Sequence, residues 1–561
     1  MLNERGIALW AAGALAQAEQ VFRQALNRDA GYAGAASNLG MVLAGQARMD
    51  EAVEALRRAV GIDPRHAGAR TNLASILRQG GAIPEAVEHL RAALVLEPGN
   101  RIARANLIRP LMELCDWDAV AAVVATLREE CAAGLEDWAD AIAPFESQVL
   151  PFTPEFQLRV GRHHSARYAL EAEKGPRIRH RPATAADTGR RLRIGYLSSD
   201  FHEHATAHLS AGLYAAHDRK QFEIVAYSIG RGEAGEYRQR IISGCDAFHD
   251  VAGLPAGDIA QRIAGDGVDI LVDMAGYAGG GSPQIPALRP APLQVSFLGY
   301  PGTMGAAFMD YLVADHVVVP EDQERWYAEK LVFMPGSYQV NDGGQAIAGT
   351  IPTRSSLGLP DEAFVFCCFN QLYKMEPETF GAWMRILGAV PGSVLWLQSG
   401  HVAAEQRLRS AAAATGVDPA RLVFAPYARK PEHLARHAHA GLFLDTHAVN
   451  AHTTASDALW AGLPLLTWPG DTFSSRVAAS LLHAIGLAEC VMPDLPAYEA
   501  RAIALARDPQ ALATLRARLN QNRRTHPLFD TEVYVRALEA AYRRMWMQCC
   551  KGLAPASFDA A

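Results

Sequence analysis

Leu442-Phe443-Leu444-Asp445 runs into Thr446-His447-Ala448-Val449-Asn450-Ala451-His452-Thr453-Thr454, and then into Ala455-Ser456-Asp457-Ala458-Leu459-Trp460-Ala461-Gly462. The short apolar run reads as a buried strand, the polar middle as a loop, and the last segment as a helix stopped at Gly462. A helix starting at Thr453 or Thr454 would aim free N–H groups and its dipole beyond the strand end, an arrangement suited to phosphate. Thr454-Ala455-Ser456-Asp457 also fits a capping box, in which both side chains merely satisfy the helix end. Both alternatives stand on the sequence alone.

Similar β-rich runs surround it at Phe364–Phe369, Val394–Gln398, Leu422–Phe424 and Leu463–Thr467. An earlier series comprises Leu192–Leu197, Phe222–Ser228, Ile270–Asp273, Gln294–Leu298 and Lys330–Phe333. Strands alternating with helical stretches imply parallel sheets covered on both faces, and two such series imply two doubly wound, Rossmann-like domains. Ligands of such sheets sit beyond the strand C-terminal ends, so those loops are where chemistry is sought. No G-x-G-x-x-G follows the opening strand and there is no P-loop, which argues against dinucleotide and NTPase readings.

Three strand exits of the second series carry phosphate-capable groups. Besides His452, Thr453 and Thr454, there is Asn370-Gln371-Leu372-Tyr373-Lys374, whose lysine can meet a phosphate as a point charge. The third is Pro426-Tyr427-Ala428-Arg429-Lys430, followed by His433 and Arg436. In the first series, Ser199-Asp200-Phe201-His202-Glu203-His204-Ala205-Thr206-Ala207-His208 is rich in histidine. It is not H-E-x-x-H, because Thr206 stands where the second histidine would be, so no metal site is expected. A lone titratable imidazole facing the cleft is the better functional reading, against a hydrogen-bonded core histidine. The only Asp-x-Asp triplet, Asp116-Trp117-Asp118, reads as a helix start. The loop Gly299-Tyr300-Pro301-Gly302-Thr303-Met304-Gly305 suits close backbone approach by a ligand along Pro301, Gly302 and Thr303.

The N-terminal part obeys a different rule, a period of 34 residues. Ala18, Ala52 and Ala86 keep this step, as do Phe22, Leu56 and Leu90, Ala25, Ala59 and Ala93, and Asn38, Asn72 and Asn106. Pro64 and Pro98 close two successive units. A 34-residue helix pair with small alanines at its crossing is the tetratricopeptide pattern, and stacked pairs form a solenoid. Units at 31–64 and 65–98 are clean, with a partial one before, whose leading helix is expected at Gly6–Leu15, and a degenerate one after. The asparagine ladder is either a solvated polar row or a set of amides that hydrogen-bond the backbone of an extended peptide. The organisation expected is therefore a solenoid over 1–135, a helical linker region over 136–189 ending in the loop Pro182–Gly189, an α/β half over 190–350 and a second over 351–561 with closing helices.

At about 100–200 residues per domain, 561 residues are enough for these parts. Lys and Arg total 53 against 60 Asp and Glu, so the net charge is −7. That mild acidity gives no field for nucleic acid or anionic lipid, and no apolar run approaches the ~20 residues of a spanning helix. The eight cysteines form no C-x-x-C pair, which fits reduced thiols in the cytoplasm. Arg5 followed by Gly6–Ala16 resembles a short signal peptide, but the repeat claims that segment.

Taken together these residues resemble the protein O-GlcNAc transferase family, with tetratricopeptide repeats before a two-Rossmann region of the GT-B type. The resemblance rests on Ser198-Ser199-Asp200-Phe201, Leu298-Gly299-Tyr300-Pro301-Gly302-Thr303, Phe369-Asn370-Gln371-Leu372-Tyr373-Lys374, His452-Thr453-Thr454, Leu459-Trp460-Ala461-Gly462 and Ser475-Arg476-Val477-Ala478-Ala479-Ser480. It implies inverting transfer of N-acetylglucosamine from UDP-GlcNAc to protein Ser or Thr hydroxyls, with no metal or other cofactor and with peptide acceptors held by the repeats. Lys374 would then contact the diphosphate, His452, Thr453 and Thr454 would hold it, and Asp457 would bind the ribose. Gln371, Lys430, His433 and Arg436 would frame the nucleotide, and His204 would face the sugar. Asp342–Thr353 is too short for the large insertion of the animal enzymes, and Ala451 replaces the glycine expected before His452. Plant relatives of this architecture transfer fucose from GDP-fucose, which is the alternative donor. A repeat scaffold that binds nucleotide-sugar without transfer, or a sugar-nucleotide epimerase, are the rival classes.

Overall fold

The structure, a computed structural model, describes residues 1–11, 13–132, 138–230 and 232–560, so the expected boundary at 135/136 lies outside them. The chain forms two compact units. One is Met1–Glu146 with Gly253–Ala256 and Gly400–Leu408, and the other is the remainder.

In the first unit the 34-residue step becomes helix pairs: α1 (Leu2–Ala11) with α2 (Leu15–Arg28), α3 (Ala33–Gly45) with α4 (Met49–Ile62), α5 (Ala67–Gln79) with α6 (Ile83–Leu96), and α7 (Arg101–Glu113) with α8 (Trp117–Ala132). The first leading helix thus ends before Gly13, whose φ is +77°, and Leu15 opens the second helix, which corrects the expected span. The repeat sets a small residue against a large one at each crossing. A Cβ on Gly6 would lie 2.5 Å from the Phe22 ring, and one on Gly40 would lie 2.6 Å from Leu56. Ala74 and Leu90 continue the series in the same buried core as Ala18, Ala52 and Ala86. Neither expectation for the asparagines is the whole answer. Asn38 donates to Asn3 Oδ1 at 3.0 Å and Asn72 to Ser37 Oγ at 3.1 Å, each reaching back 35 residues to the previous leading helix. Asn106 is exposed.

The second unit holds two parallel sheets. The first contains β1 (Leu192–Ser198), β2 (Phe222–Ser228), β3 (Ala247–Asp250), β4 (Ile270–Asp273), β5 (Leu293–Ser296), β6 (Tyr311–Ala314) and β7 (Lys330–Phe333). The second contains β8 (Val365–Cys368), β9 (Val394–Gln398), β10 (Leu422–Ala425), β11 (Leu442–Leu444) and β12 (Leu465–Leu466); the two-residue β13 (Phe558–Asp559) returns to the first. Their orders are β13-β7-β6-β5-β4-β1-β2-β3 and β10-β9-β8-β11-β12. Both have the crossover topology that the alternation of strands and helices implies. β3 and β6 lie outside the expected runs. The former is an edge strand without full burial, and the latter is a fully buried strand of four residues, the same length as β4 and β7.

The closing segment departs from the expected assignment to 351–561. The helix Thr531–Cys550 fastens to the first half: the Glu539 carboxylate accepts from the Asp218 N–H at 2.7 Å and lies 3.0 Å from His217 Nδ1. Tyr542 and Tyr196 share a hydroxyl–hydroxyl contact of 3.2 Å, and β13 pairs with β7. The stretch Pro182–Gly189 is likewise no free linker. Asp187 is buried, it accepts from Thr184, and its carbonyl takes the indole N–H of Trp546 at 3.0 Å.

The glycine-rich loop after β5 is seated on the helix Pro154–Ala172. Gly305 has φ +63°, and a Cβ there would lie 2.3 Å from the Arg162 nitrogen. Gly305→Ala is therefore expected to lower unfolding free energy by more than about 2 kcal/mol in a denaturant titration. Gly349→Ala, at an exposed site with nothing within 4 Å, is expected to change it by under about 0.5 kcal/mol.

Candidate active site

The site is built outward from the end of β11. Asp445 is fully buried there, and its Oδ1 accepts from the Thr446 N–H at 2.8 Å and the Ala451 N–H at 2.7 Å. Oδ2 accepts from the Thr467 hydroxyl at 2.7 Å. Burial pushes this carboxyl up to about 7, against the pull of these donors and of the Lys374 charge. The loop that follows is thus wound around one carboxylate. It delivers the chain into the helix Thr453–Trp460, whose N-cap residue His452 makes no side-chain capping bond.

The N–H groups of Ala455 and Ser456 donate to the His452 carbonyl, each at 3.1 Å. Those of Thr453 and Thr454 have no acceptor among the described residues, which leaves two donors and the positive helix end unspent. Lys374 arrives beside them on the turn Leu372–Lys374 after β8, and its Nζ donates to the Asn450 carbonyl at 2.8 Å. His452 is neutral: burial and the nearby Lys374 charge push its pKa down to about 3, and its Nε2 lies 2.9 Å from the Ser474 carbonyl. Lysine, helix start and imidazole therefore converge at two adjacent strand ends.

The capping box is not formed. Asp457 is buried a turn into the helix and pairs with Lys430, itself 5% exposed at the start of the helix Lys430–Arg436. His433 Nε2 stands 3.7 Å from the other Asp457 oxygen, and burial with the neighbouring cations holds that imidazole well below its usual pKa. Asp457 thus has one oxygen fixed by Lys430 and the other beside a neutral histidine. Arg436, expected to frame a nucleotide, is instead spent inside the half. It is 2% exposed, donates to the Pro426 carbonyl at 2.7 Å and lies 4.5 Å above the Phe369 ring, and burial lowers its pKa to about 10. Gln371 is exposed at the foot of the Lys374 turn.

The first half contributes the end of β1. His204 caps the helix Ala205–Ser210: its Nδ1 accepts from the Thr206 N–H at 3.2 Å and stands 3.4 Å from Asp200 Oδ2. Desolvation lowers its pKa despite Asp200, so the ring is neutral at pH 7. His208 pairs with Glu203 at 2.6 Å, and burial together with the Lys430 charge across the halves pushes it down to about 3. His204 and His208 thus have different partners, His202 Nδ1 is buried without a hydrogen bond among the described residues, and no group of three ligating side chains is present among them. The halves also meet where Gln339 donates to Ser456 Oγ at 2.7 Å.

The expected role of Thr303 needs correction. Its hydroxyl donates to Glu329 at 2.6 Å and accepts the Gly305 N–H at 3.0 Å, so it holds the loop's shape and offers nothing outward. Gly302 lies against Gln148, where a Cβ would meet the amide nitrogen at 2.7 Å, and Pro301 is buried. In the solenoid, Asn106 lines a cavity of about 200 Å³ with Arg78, Arg109 and Glu146, and it is exposed where Asn38 and Asn72 are half-buried. Residues overlooked in the sequence are Asn370 and Asp445, which touch Thr454 and its loop, and Glu329 under the glycine loop. A strand-final Asp followed by Thr was the available signal for Asp445.

The chain matches the family model described as glycosyl transferase family 41 over residues 114–349 and 344–538, and a tetratricopeptide repeat model over 3–67 and 37–101. It is 40% identical over 429 residues to a protein of Arabidopsis thaliana named "Probable UDP-N-acetylglucosamine–peptide N-acetylglucosaminyltransferase", covering 74% of this chain and 44% of that one. A Caenorhabditis elegans UDP-N-acetylglucosamine–peptide N-acetylglucosaminyltransferase is 30% identical over 562 residues, covering 78% of this chain and 48% of its own length. The chain therefore spans about half the length of these curated relatives. The solved structure of a mutant Thermobaculum terrenum O-GlcNAc transferase superposes with a TM-score of 0.71 at 28% identity, covering 98% of each chain.

Two outcomes follow from this geometry. Asp457→Ala strands the Lys430 ammonium in a buried site and is expected to cost about 3–5 kcal/mol in urea unfolding, more than the ~1 kcal/mol of a lost cap. Lys430→Met combined with Asp457→Leu is expected to recover most of that loss. His452 has a folded pKa of about 3, below its unfolded value. Its contribution to stability is full above about pH 6.5 and drains as pH falls toward 3, because the unfolded chain takes up a proton that the folded one refuses. The melting-temperature gap between wild type and His452→Gln is expected to narrow from pH 7 to pH 5.

Proposed function

The chain belongs to glycosyl transferase family 41, and we propose that it moves N-acetylglucosamine from UDP-GlcNAc to Ser or Thr hydroxyls of peptides, with inversion and without a metal. The observation that carries this reading is the convergence of Lys374 with the unpaired N–H groups of Thr453 and Thr454. The names of the Arabidopsis, Caenorhabditis and Thermobaculum relatives support the donor and acceptor classes.

An alcohol is a weak nucleophile, so the barrier falls most where negative charge grows on the leaving diphosphate. The acceptor oxygen attacks the anomeric carbon as the bond to the phosphate oxygen breaks on the opposite face, which gives inversion, and the proton lost by the acceptor hydroxyl passes to the departing diphosphate or to solvent. The Lys374 ammonium and the helix start meet the charge that results, the part a divalent cation plays elsewhere. Asp457 accepts from the ribose hydroxyls through the oxygen that Lys430 leaves open, and Gln371 and His433 line the nucleotide's approach. Because His204 Nδ1 accepts the Thr206 N–H, the neutral ring carries its proton on Nε2. In that tautomer His204 donates to the sugar or acceptor oxygen. Peptide acceptors are drawn by the repeats, with Asn106 the amide most open to them.

Lys374→Ala is expected to keep the fold and lower turnover 10²–10³-fold, about 3–4 kcal/mol of transition-state stabilisation. Release of UDP from UDP-GlcNAc and sugar on an acceptor peptide measure it, with EDTA leaving the rate unchanged. Turnover within threefold of wild type would remove Lys374 from the catalytic set. Cleavage of GDP-fucose but not UDP-GlcNAc would replace the donor, and binding of UDP without any transfer would favour the scaffold.

A further inference from the structure

Thr453 and Thr454 stand side by side at the helix start, yet the hydrogen bonds around them give their hydroxyls different work. Asn370 follows β8, is 1% exposed, and lies between Asp445, Thr446 and Thr454. Its amide could face either way, so the direction of each proton is fixed by following the chain of partners from a group with no choice.

That group is the Val449 carbonyl, which can only accept. The Thr446 hydroxyl therefore donates to it, at 2.7 Å. With its proton spent, Thr446 Oγ1 presents lone pairs to Asn370 at 2.7 Å, so the atom of Asn370 that meets it must be the NH2 group. The same NH2 group points at Asp445 Oδ1 at 3.3 Å, which a carboxylate rewards and a carbonyl in its place would not. The amide oxygen consequently faces Thr454, and the Thr454 hydroxyl must donate to it. Every proton in Thr454–Asn370–Thr446–Val449 is assigned, and none from a hydroxyl is left over for a ligand. Thr453 is half-buried like Thr454 but differs in that its hydroxyl has no partner among the described residues.

We propose that Asn370, backed by Asp445, is a positioning residue that consumes the Thr454 hydroxyl to clamp the first helical turn, leaving Thr453 as the hydroxyl that donates to the leaving diphosphate. This rests on the reading of the site as a nucleotide-diphosphate-sugar transferase. The Thr454 contribution to the diphosphate is its N–H alone. Precise aim of that N–H is the benefit of the clamp, since preorganised donors act without reorganising as charge develops.

The test is a double-variant cycle on the full chain, reading kcat with UDP-GlcNAc and a peptide acceptor, and UDP affinity by calorimetry. Thr454→Val and Asn370→Ala are each expected to lower kcat about five- to tenfold, and the pair together by no more than the larger single effect, because both remove the same Thr454–Asn370 hydrogen bond. Thr454→Ser is expected to restore wild-type turnover. Thr453→Val is expected to weaken UDP binding more than Thr454→Val does, and its kcat loss to multiply with that of Asn370→Ala. Losses that multiply between Asn370→Ala and Thr454→Val would overturn the proposal. Should Asn370→Ala fail to fold, the threonine comparison decides alone: UDP binding weakened as much by Thr454→Val as by Thr453→Val overturns it. Wild-type protein that neither binds UDP nor cleaves UDP-GlcNAc would defeat the transferase reading itself, a result separate from any pattern among the variants.

Discussion

Asp445 is fully buried at the end of β11, where burial raises its pKa to about 7 while hydrogen-bond donors and the Lys374 ammonium pull the other way. Such a carboxylate is costly to bury, and the chain offsets the cost by winding a loop around it, with the N–H groups of Thr446 and Ala451 and the hydroxyl of Thr467 turned inward. The loop's other features follow from that arrangement. Asn450 places its carbonyl where Lys374 can donate to it, and Ala451 hands the chain to His452 at the helix start. Lys374 and the Thr453–Thr454 donors come from strands β8 and β11, which are neighbours in the sheet. Their juxtaposition is a consequence of strand order and of one buried acid.

The second constraint is the closure of the α/β unit on itself. The last helix crosses from the second half to the first, and Glu539, His217, Tyr196 and Tyr542 form the buried polar fastening. With β13 added to the edge of the first sheet, the chain's end fixes how β1 and its histidine loop sit relative to β11 and its helix. Gln339 bridges the halves at the site through its hydrogen bond to Ser456. A transferase of the proposed kind needs donor and acceptor groups held in register, and this fastening supplies it from residues remote from the chemistry.

Within the solenoid, the asparagines show how one sequence feature can serve structure and surface together. Each amide has more than one hydrogen-bonding group. Asn38 and Asn72 commit a donor to the preceding helix and keep the amide oxygen free of any bond among the described residues. Asn106 is exposed, has no hydrogen-bond partner among the described residues, and lines the cavity with two arginines.

Periodicity alone determined the solenoid, because a repeat that places Gly6, Gly40 and Ala74 opposite Phe22, Leu56 and Leu90 can pack in only one way. The two parallel sheets were equally legible, since buried parallel strands are apolar throughout and helices must separate them; only the edge strand β3 together with β6 and β13 escaped. Lys374, His452, Thr453 and Thr454 could be named as candidates because residue type and a strand-exit position are visible in the sequence. The partners of those groups could not be named. Thr454 and Asp457 have capping-box spacing, but spacing does not reveal that Lys430 and Asn370, brought in from other strands, claim those side chains first. Arg436 and Thr303 were placed at the site for the right chemistry, and tertiary packing turned both inward, over Phe369 and onto Glu329. A hydroxyl or guanidinium can satisfy itself on any nearby acceptor, and which acceptor is near depends on contacts between strands distant in sequence, which only the folded chain decides.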